Sequence, residues 1–204
     1  MAADFMAKRA PLRNSLYHWL LLALCAGCQP EKQAPTAIPA RYVSVDVPGW
    51  QQRSGNLWLN DTLFSGWQFQ PTPAGDTLFC GGYLAGKAEG IHRQWYASGG
   101  LKEARHFHAG WQQGEQHGWH ESGKPAFVYH FKNDVYEGSR KEWYANGKPA
   151  LDGNYHEGQE NGRQRQWFDN GSLKVNYEAR NGRNYGFTGV KNCVNVWDSI
   201  TVSH

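Results

Sequence analysis

Nine histidines stand in this chain, and five of them fall between residues 106 and 130. In "HFH", His106 and His108 are two apart, so a strand would put both imidazoles on one face. His117, His120 and His130 follow. Imidazoles ligate zinc, but a zinc site needs three or four ligands converging with restrained geometry. His117 and His120 each belong to a series spaced by 24 residues, described below, which already gives them structural roles. No metal site is expected. A phosphate-cradling glycine loop, a nucleophile elbow and a paired-cysteine metal motif are all missing from the sequence. The expectation is a non-enzymatic protein with no cofactor.

Cysteine offers the other chemistry. Lys8, Arg9 and Arg13 precede the apolar run "SLYHWLLLALCAG", residues 15–27. That run is shorter than the roughly 20 apolar residues a bilayer span requires, and it suits an export signal. Met6 opens an equally good signal. The run ends in "LCAGC", where Ala26 and Gly27 stand before Cys28. This resembles the bacterial lipobox, which implies that residues 1–27 are removed and Cys28 is acylated. Cys25 departs from the pattern, standing where Leu is usual; a plain signal peptide or an uncleaved anchor is the alternative. Gln29, rather than Asp, follows the cysteine. By the same resemblance this implies an outer-membrane protein facing the periplasm, with inner membrane or cell surface as alternatives. Residues 28–48 include "QPEKQAPTAIPA", with three prolines and no apolar periodicity, and read as an extended tether.

Beyond the signal the charge is nearly balanced. Without Lys8, Arg9, Arg13 and Asp4 the chain keeps 18 basic and 17 acidic side chains, a net +1. Nucleic-acid binding usually shows a much larger basic excess, and no nucleic-acid partner is expected.

The elements that must position these residues follow a ruler. Trp95, Trp119, Trp143 and Trp167 are each 24 apart. Gly66, Gly90, Gly114, Gly138, Gly162 and Gly186 keep the same step, as do Gly75, Gly99, Gly123, Gly147 and Gly171. Tyr83, Phe107, Phe131 and Tyr155 form an aromatic series, and Arg93, His117, Lys141 and Arg165 a basic one. Several registers in agreement mark an internal repeat. In each unit a Ser-Gly or Asn-Gly signals a tight hairpin turn, flanked by strand-like "HRQWY" and "LKEARHF". The Gly-rich "HAGWQQG" then turns the chain into the next unit. Recurrent glycine opposes helix. The expectation is an all-β, elongated antiparallel meander of hairpins without significant helix beyond the signal.

Alternation puts Arg93 with Trp95 on one face and His92, Gln94 and Tyr96 on the other. The Trp would form one ladder, and Tyr96, His120, Tyr144 and Phe168 another. Cross-strand packing in place of a deep core explains both; a binding groove is the alternative. Arg93, Lys141 and Arg165 either solvate the sheet and lie against Trp rings, or form a contact row for lipid phosphates or an acidic partner.

The pattern "GxxxxWYxNGxL…Y…GxxxG" resembles the bacterial MORN-variant repeat over roughly residues 55–190. The resemblance implies an extended, twisted β-meander that serves as a scaffold, a membrane-associated module or a partner-binding surface. It brings no catalytic residues, and some members are antitoxin components. In the first unit Pro71 replaces the Trp, and Phe79-Cys80 are expected to interrupt the second strand, as in a cap. The organisation expected is 1–27 signal, 28–48 tether, 49–186 about five repeats, and 187–204 a closing strand over the sheet edge. Cys80 and Cys193 lie about 4.7 units apart, roughly 45 Å in a regular meander, so no disulfide is expected. The function expected is an outer-membrane lipoprotein that binds unidentified protein partners. A peripheral phospholipid-binding module or an antitoxin-type immunity factor is the alternative.

Overall fold

Two-residue loops with both residues at positive φ recur through the chain, and between them they fold it into one long meander. The computed structural model describes residues 37–189. Cys28, the signal, most of the tether, Cys193 and the expected closing strand lie outside these residues. No helix occurs among residues 37–189.

The first strands make a cap. β1 (Tyr42–Ser44) precedes β2 (Trp50–Arg53), β3 (Asn56–Leu59) and β4 (Thr62–Leu63). β2, β3 and β4 form a separate three-stranded sheet rather than a repeat, although the repeats were expected to begin at residue 49. Its Leu57, Leu59 and Phe64 are buried together, with Val43, Trp50 and Tyr83 packed against them. Backbone bonds from Leu57 N–H to Gly86 O, and from Gly86 N–H to Phe64 O, fasten this sheet to the first repeat. A terminal unit of a repeat stack needs such a cover.

The main sheet then runs in chain order. β5 (Gly66–Pro71), β6 (Thr77–Leu84), β7 (Lys87–Trp95) and β8 (Leu101–His108) begin it. The short β9 (Trp111–Gln112) pairs with β8 only. β10 (Gly114–Trp119), β11 (Pro125–Lys132), β12 (Val135–Trp143), β13 (Pro149–His156), β14 (Gln159–Trp167), β15 (Leu173–Arg180) and β16 (Arg183–Phe187) complete it. All neighbours are antiparallel except β1, which pairs with β5 in parallel. The sheet is therefore mixed at one edge, and Tyr42–Ser44, within the stretch read as tether, belong to it. Phe79 and Cys80 do not interrupt the second strand: they pair with Gln70 and Phe69 inside β6. Among the described residues Cys80 has no disulfide partner.

The two ends of each hairpin turn differently. At one end, Gly99, Gly123, Gly147 and Gly171 donate to the carbonyls of Tyr96, His120, Tyr144 and Phe168, and only the glycine takes positive φ. At the other end, loops such as Ala109-Gly110 and Glu157-Gly158 have both residues at positive φ, the signature of the turn that matches strand twist. The second residue of such a loop bonds back one unit: Gly110 N–H to Ala88 O and Gly158 N–H to Tyr136 O.

Candidate binding face

The sheet presents two faces, fixed by strand register. One cross-strand row reads Cys80, Arg93, Ala104, His117, Val128, Lys141, Asp152, Arg165, Asn176 without a break. All four members of the basic series thus lie on one line, alternating with residues of the intervening strands. Trp95, Trp119, Trp143 and Trp167 stand two residues on from these cations. They are half-buried and pair with Leu101, Pro125, Pro149 and Leu173.

Successive Trp are two strands apart, about 9.6 Å, too far for ring-on-ring stacking. A Leu or Pro separates them instead. Two members of the row reach their own Trp: the Arg165 guanidinium lies 5.2 Å from the Trp167 ring centre, and the His117 ring stacks on Trp119 at 5.7 Å. Between Trp143 and Trp167 runs a groove of about 270 Å³, lined also by Lys141, Pro149, Asp152 and Arg165.

The cations are not equivalent. Arg165 donates to Asp152 at 2.6 Å, and Arg163 lies 3.5 Å from the same carboxylate. His117 Nε2 sits 3.2 Å from Glu115. Arg93 and Lys141 are exposed and make no salt bridge among the described residues. The row thus holds Arg165 and His117 paired to carboxylates, and Arg93 and Lys141 without such a partner among the described residues.

The opposite face carries the Tyr96 series. Tyr96 Oη donates to Trp119 O at 2.8 Å, His120 Nε2 lies 2.8 Å from Trp143 O, and Tyr144 Oη donates to Trp167 O at 2.7 Å. This ladder is built of side-chain-to-backbone hydrogen bonds rather than stacked rings. Phe168, without a hydroxyl, ends it and is exposed.

A further series escaped the sequence reading: His92, Gln116, Arg140 and Gln164, each two residues after a ruler glycine. At this level two extra residues bulge from one strand, as between Gly153 and Tyr155 opposite Gln164 and Glu160. The residue opposite loses its backbone partner, and the series supplies one. Gln116, fully buried, accepts from His106 N–H at 2.7 Å and donates to His106 O at 3.1 Å. Its amide substitutes for a missing peptide. Gln164 donates to Asn154 O at 2.6 Å, and His92 Nε2 lies 2.8 Å from Gly82 O. A Cβ on Gly153 would fall on Gln164 Oε1. Burial lowers the His92 pKa, opposed by its bond to Gly82.

Arg140 departs from this role. It lies 5.3, 5.0 and 6.0 Å from the rings of Tyr129, Tyr136 and Tyr155 and donates to Glu142 at 2.6 Å. Burial opposes its charge, but the Glu142 carboxylate outweighs that and raises its pKa. Burial and Glu142 together push the Tyr129 phenol up to about 12. The signal that would have found this series was a polar residue recurring every 24 positions.

The remaining histidines disperse. His108 and His156 pair with Glu89 and Glu137, and His130 Nε2 lies 3.6 Å from Glu115. Among the described residues no group of three or more His, Cys, Asp or Glu is placed to hold a metal ion.

The family model described as the MORN repeat variant matches residues 136–157. That segment runs from Tyr136 in β12 to Glu157, the first residue of the next two-residue loop, and so spans one hairpin. No curated protein matches the chain. The hairpin bearing Lys141, Trp143 and Tyr144 thus matches the MORN repeat variant, and its tryptophan recurs at the same step on either side, as Trp119 and Trp167, while His120 and Phe168 stand at the tyrosine's position.

Proposed function

We propose that this chain is a non-enzymatic lipoprotein of the outer membrane that binds protein partners through its tryptophan face. MORN repeats are compatible with a membrane or a protein-binding role. The observation that supports the protein reading is the stripe of four half-buried Trp beside uncommitted cations. Tryptophan and arginine dominate binding energy at protein interfaces. A lipid-headgroup reading asks for a row of free positive charge, each worth about 1 kcal/mol near an anionic surface. Asp152 and Glu115 already occupy Arg165 and His117, which weakens that reading. The "LCAGC" segment with Cys28 supplies the membrane attachment, and Gln29 the outer-membrane destination.

The test is a pull-down from solubilised membranes with the full chain as bait, beside the Arg93→Glu/Lys141→Glu variant. A partner retained by wild type and lost by the variant supports the reading. Equal recovery, or recovery of anionic vesicles alone, refutes it.

A further inference from the structure

We propose that the tryptophan stripe takes a proline-rich segment carrying acidic residues, bound as a polyproline II helix. This rests on the protein-binding reading and names the partner's chemistry.

Three observations converge. The first is spacing. The groove between Trp143 and Trp167, lined by Pro149, spans two strands, about 9.6 Å, and the same pairing of Trp with Leu or Pro recurs along the stripe. A polyproline II helix has three residues per turn at 3.1 Å each, so about 9.3 Å per turn. Every third ligand residue therefore meets an equivalent slot. An α-helix, about 10–12 Å across with a 5.4 Å pitch, does not match single-ring slots. An extended strand returns to the same face about every 6.6 Å and drifts out of step.

The second is hydrogen bonding. Polyproline II leaves all its carbonyls free to accept. Among the described residues, Trp50 is the tryptophan whose indole N–H donates to a protein acceptor, and Trp58 the one whose N–H is buried without an acceptor. Among the described residues the indole N–H groups of Trp95, Trp119, Trp143 and Trp167 have no protein acceptor, and they stand beside apolar rings. Aromatic-lined grooves of this kind are how proline-rich segments are recognised.

The third is charge. Asp152, the acid in the groove, is neutralised by Arg165 and Arg163, while Lys141 and Arg93 stand free. The face keeps a positive excess that acidic residues between the prolines would complement. Sheet twist of about 20–25° per strand turns the stripe by about 45° per unit, so a straight ligand engages two neighbouring slots.

The experiment uses the full chain in detergent and a fluorescein-labelled peptide of repeated Pro-Pro-Glu. A Gly-Ser-Glu peptide of equal length and charge is the control, and anisotropy is the readout. Saturable binding of the proline peptide alone is expected. Trp143→Phe and Trp167→Phe keep a ring but remove the indole N–H, and should each weaken binding about five- to tenfold. Trp111→Phe, at an exposed position outside the stripe, should leave it unchanged. Equal binding of both peptides, no saturable binding, or stripe variants that bind like wild type overturns the proposal. If the membrane pull-down still depends on Arg93 and Lys141 while the proline peptide fails, partner binding stands and the polyproline assignment falls.

Discussion

The Tyr144 hydroxyl donates to the Trp167 carbonyl at 2.7 Å, one unit further along the chain. Tyr96 makes the same bond to Trp119. Each bond fastens one hairpin's turn to the next, so the units cohere along this edge without a deep core. Tyr144→Phe removes the donor and keeps the ring. A net hydrogen bond of this type contributes about 1 kcal/mol, which for a domain of this size lowers the melting temperature by about 2–4 °C. Phe168→Tyr, with no following Trp in the series, should not raise it. A thermal melt of Tyr144→Phe superimposable on wild type would remove the ladder's energetic role.

Gly147 has φ +88°, and the nearest atom to a Cβ built there is Lys124 Cδ at 3.5 Å. Space is available, so the cost of a side chain is conformational. Gly147→Val should destabilise by about 1–3 kcal/mol, while Asn146→Ala, at a residue outside the positive-φ set, should lose only its bond to the Asp169 carbonyl and its bond to Lys148 N–H. Chemical denaturation of both variants separates the two effects; equal midpoints would reject the strain argument.

How much of this was legible beforehand differs by level. A repeat puts equal positions in equal surroundings, so the step of 24 exposed the Trp, Tyr and basic series and the meander. Turn type was not legible. Asn146-Gly147 reads as a two-residue loop, yet only its glycine takes positive φ. The loops with two such residues include, besides Asn181-Gly182, Ala85-Gly86, Ala109-Gly110 and Glu157-Gly158, where Ala and Glu are locally disfavoured. The compensation comes from one unit earlier: Glu89 accepts from Ala109 N–H and Glu137 from Glu157 N–H, at 2.8 and 2.9 Å. A dipeptide cannot report a partner some 20 residues away. The cap escaped for a similar reason, because Leu57, Leu59 and Phe64 become a core only when β2–β4 fold back on the Gly86 loop.

The anchor gives a third test. With Ala26-Gly27 before Cys28, Cys28→Ser is expected to release the protein from membranes or leave the precursor uncleaved. Fractionation followed by mass analysis of the N-terminus reads both. Fully processed, membrane-bound Cys28→Ser protein would eliminate the lipid anchor.

The edge pair His156 and Glu137 sets a pH window. His156 Nδ1 lies 2.9 Å from Glu137 Oε1. That bond raises the His156 pKa, while Glu157 N–H and then His156 lower that of Glu137. For His156 the contribution is complete below its unfolded pKa of about 6.5 and is lost as pH rises through the raised folded value. For Glu137 it is complete above about 4.3 and is lost as pH falls through the lowered folded value. The difference in melting temperature between wild type and His156→Gln should therefore be greatest near about pH 5–6 and shrink on both sides. A difference that stays flat from acid to alkaline pH would show that His156 acts without its charge.

Gln116 offers the sharpest stability test, because it is fully buried and replaces a strand partner for His106. Gln116→Leu keeps the volume but strands the His106 N–H, at a cost of about 1–3 kcal/mol, while the His106 C=O keeps its bond from Gln113 N–H at 3.0 Å. The expected loss is about 1–3 kcal/mol, above that of Tyr144→Phe. Gln164→Leu, where Gln164 Nε2 donates to Asn154 O at 2.6 Å, should cost less, because no N–H of Asn154 depends on it. Amide exchange localises the effect: in Gln116→Leu the His106 amide should lose protection while that of Asn154 keeps it. Unchanged protection at His106 would mean that the bulge is closed by something other than the glutamine amide.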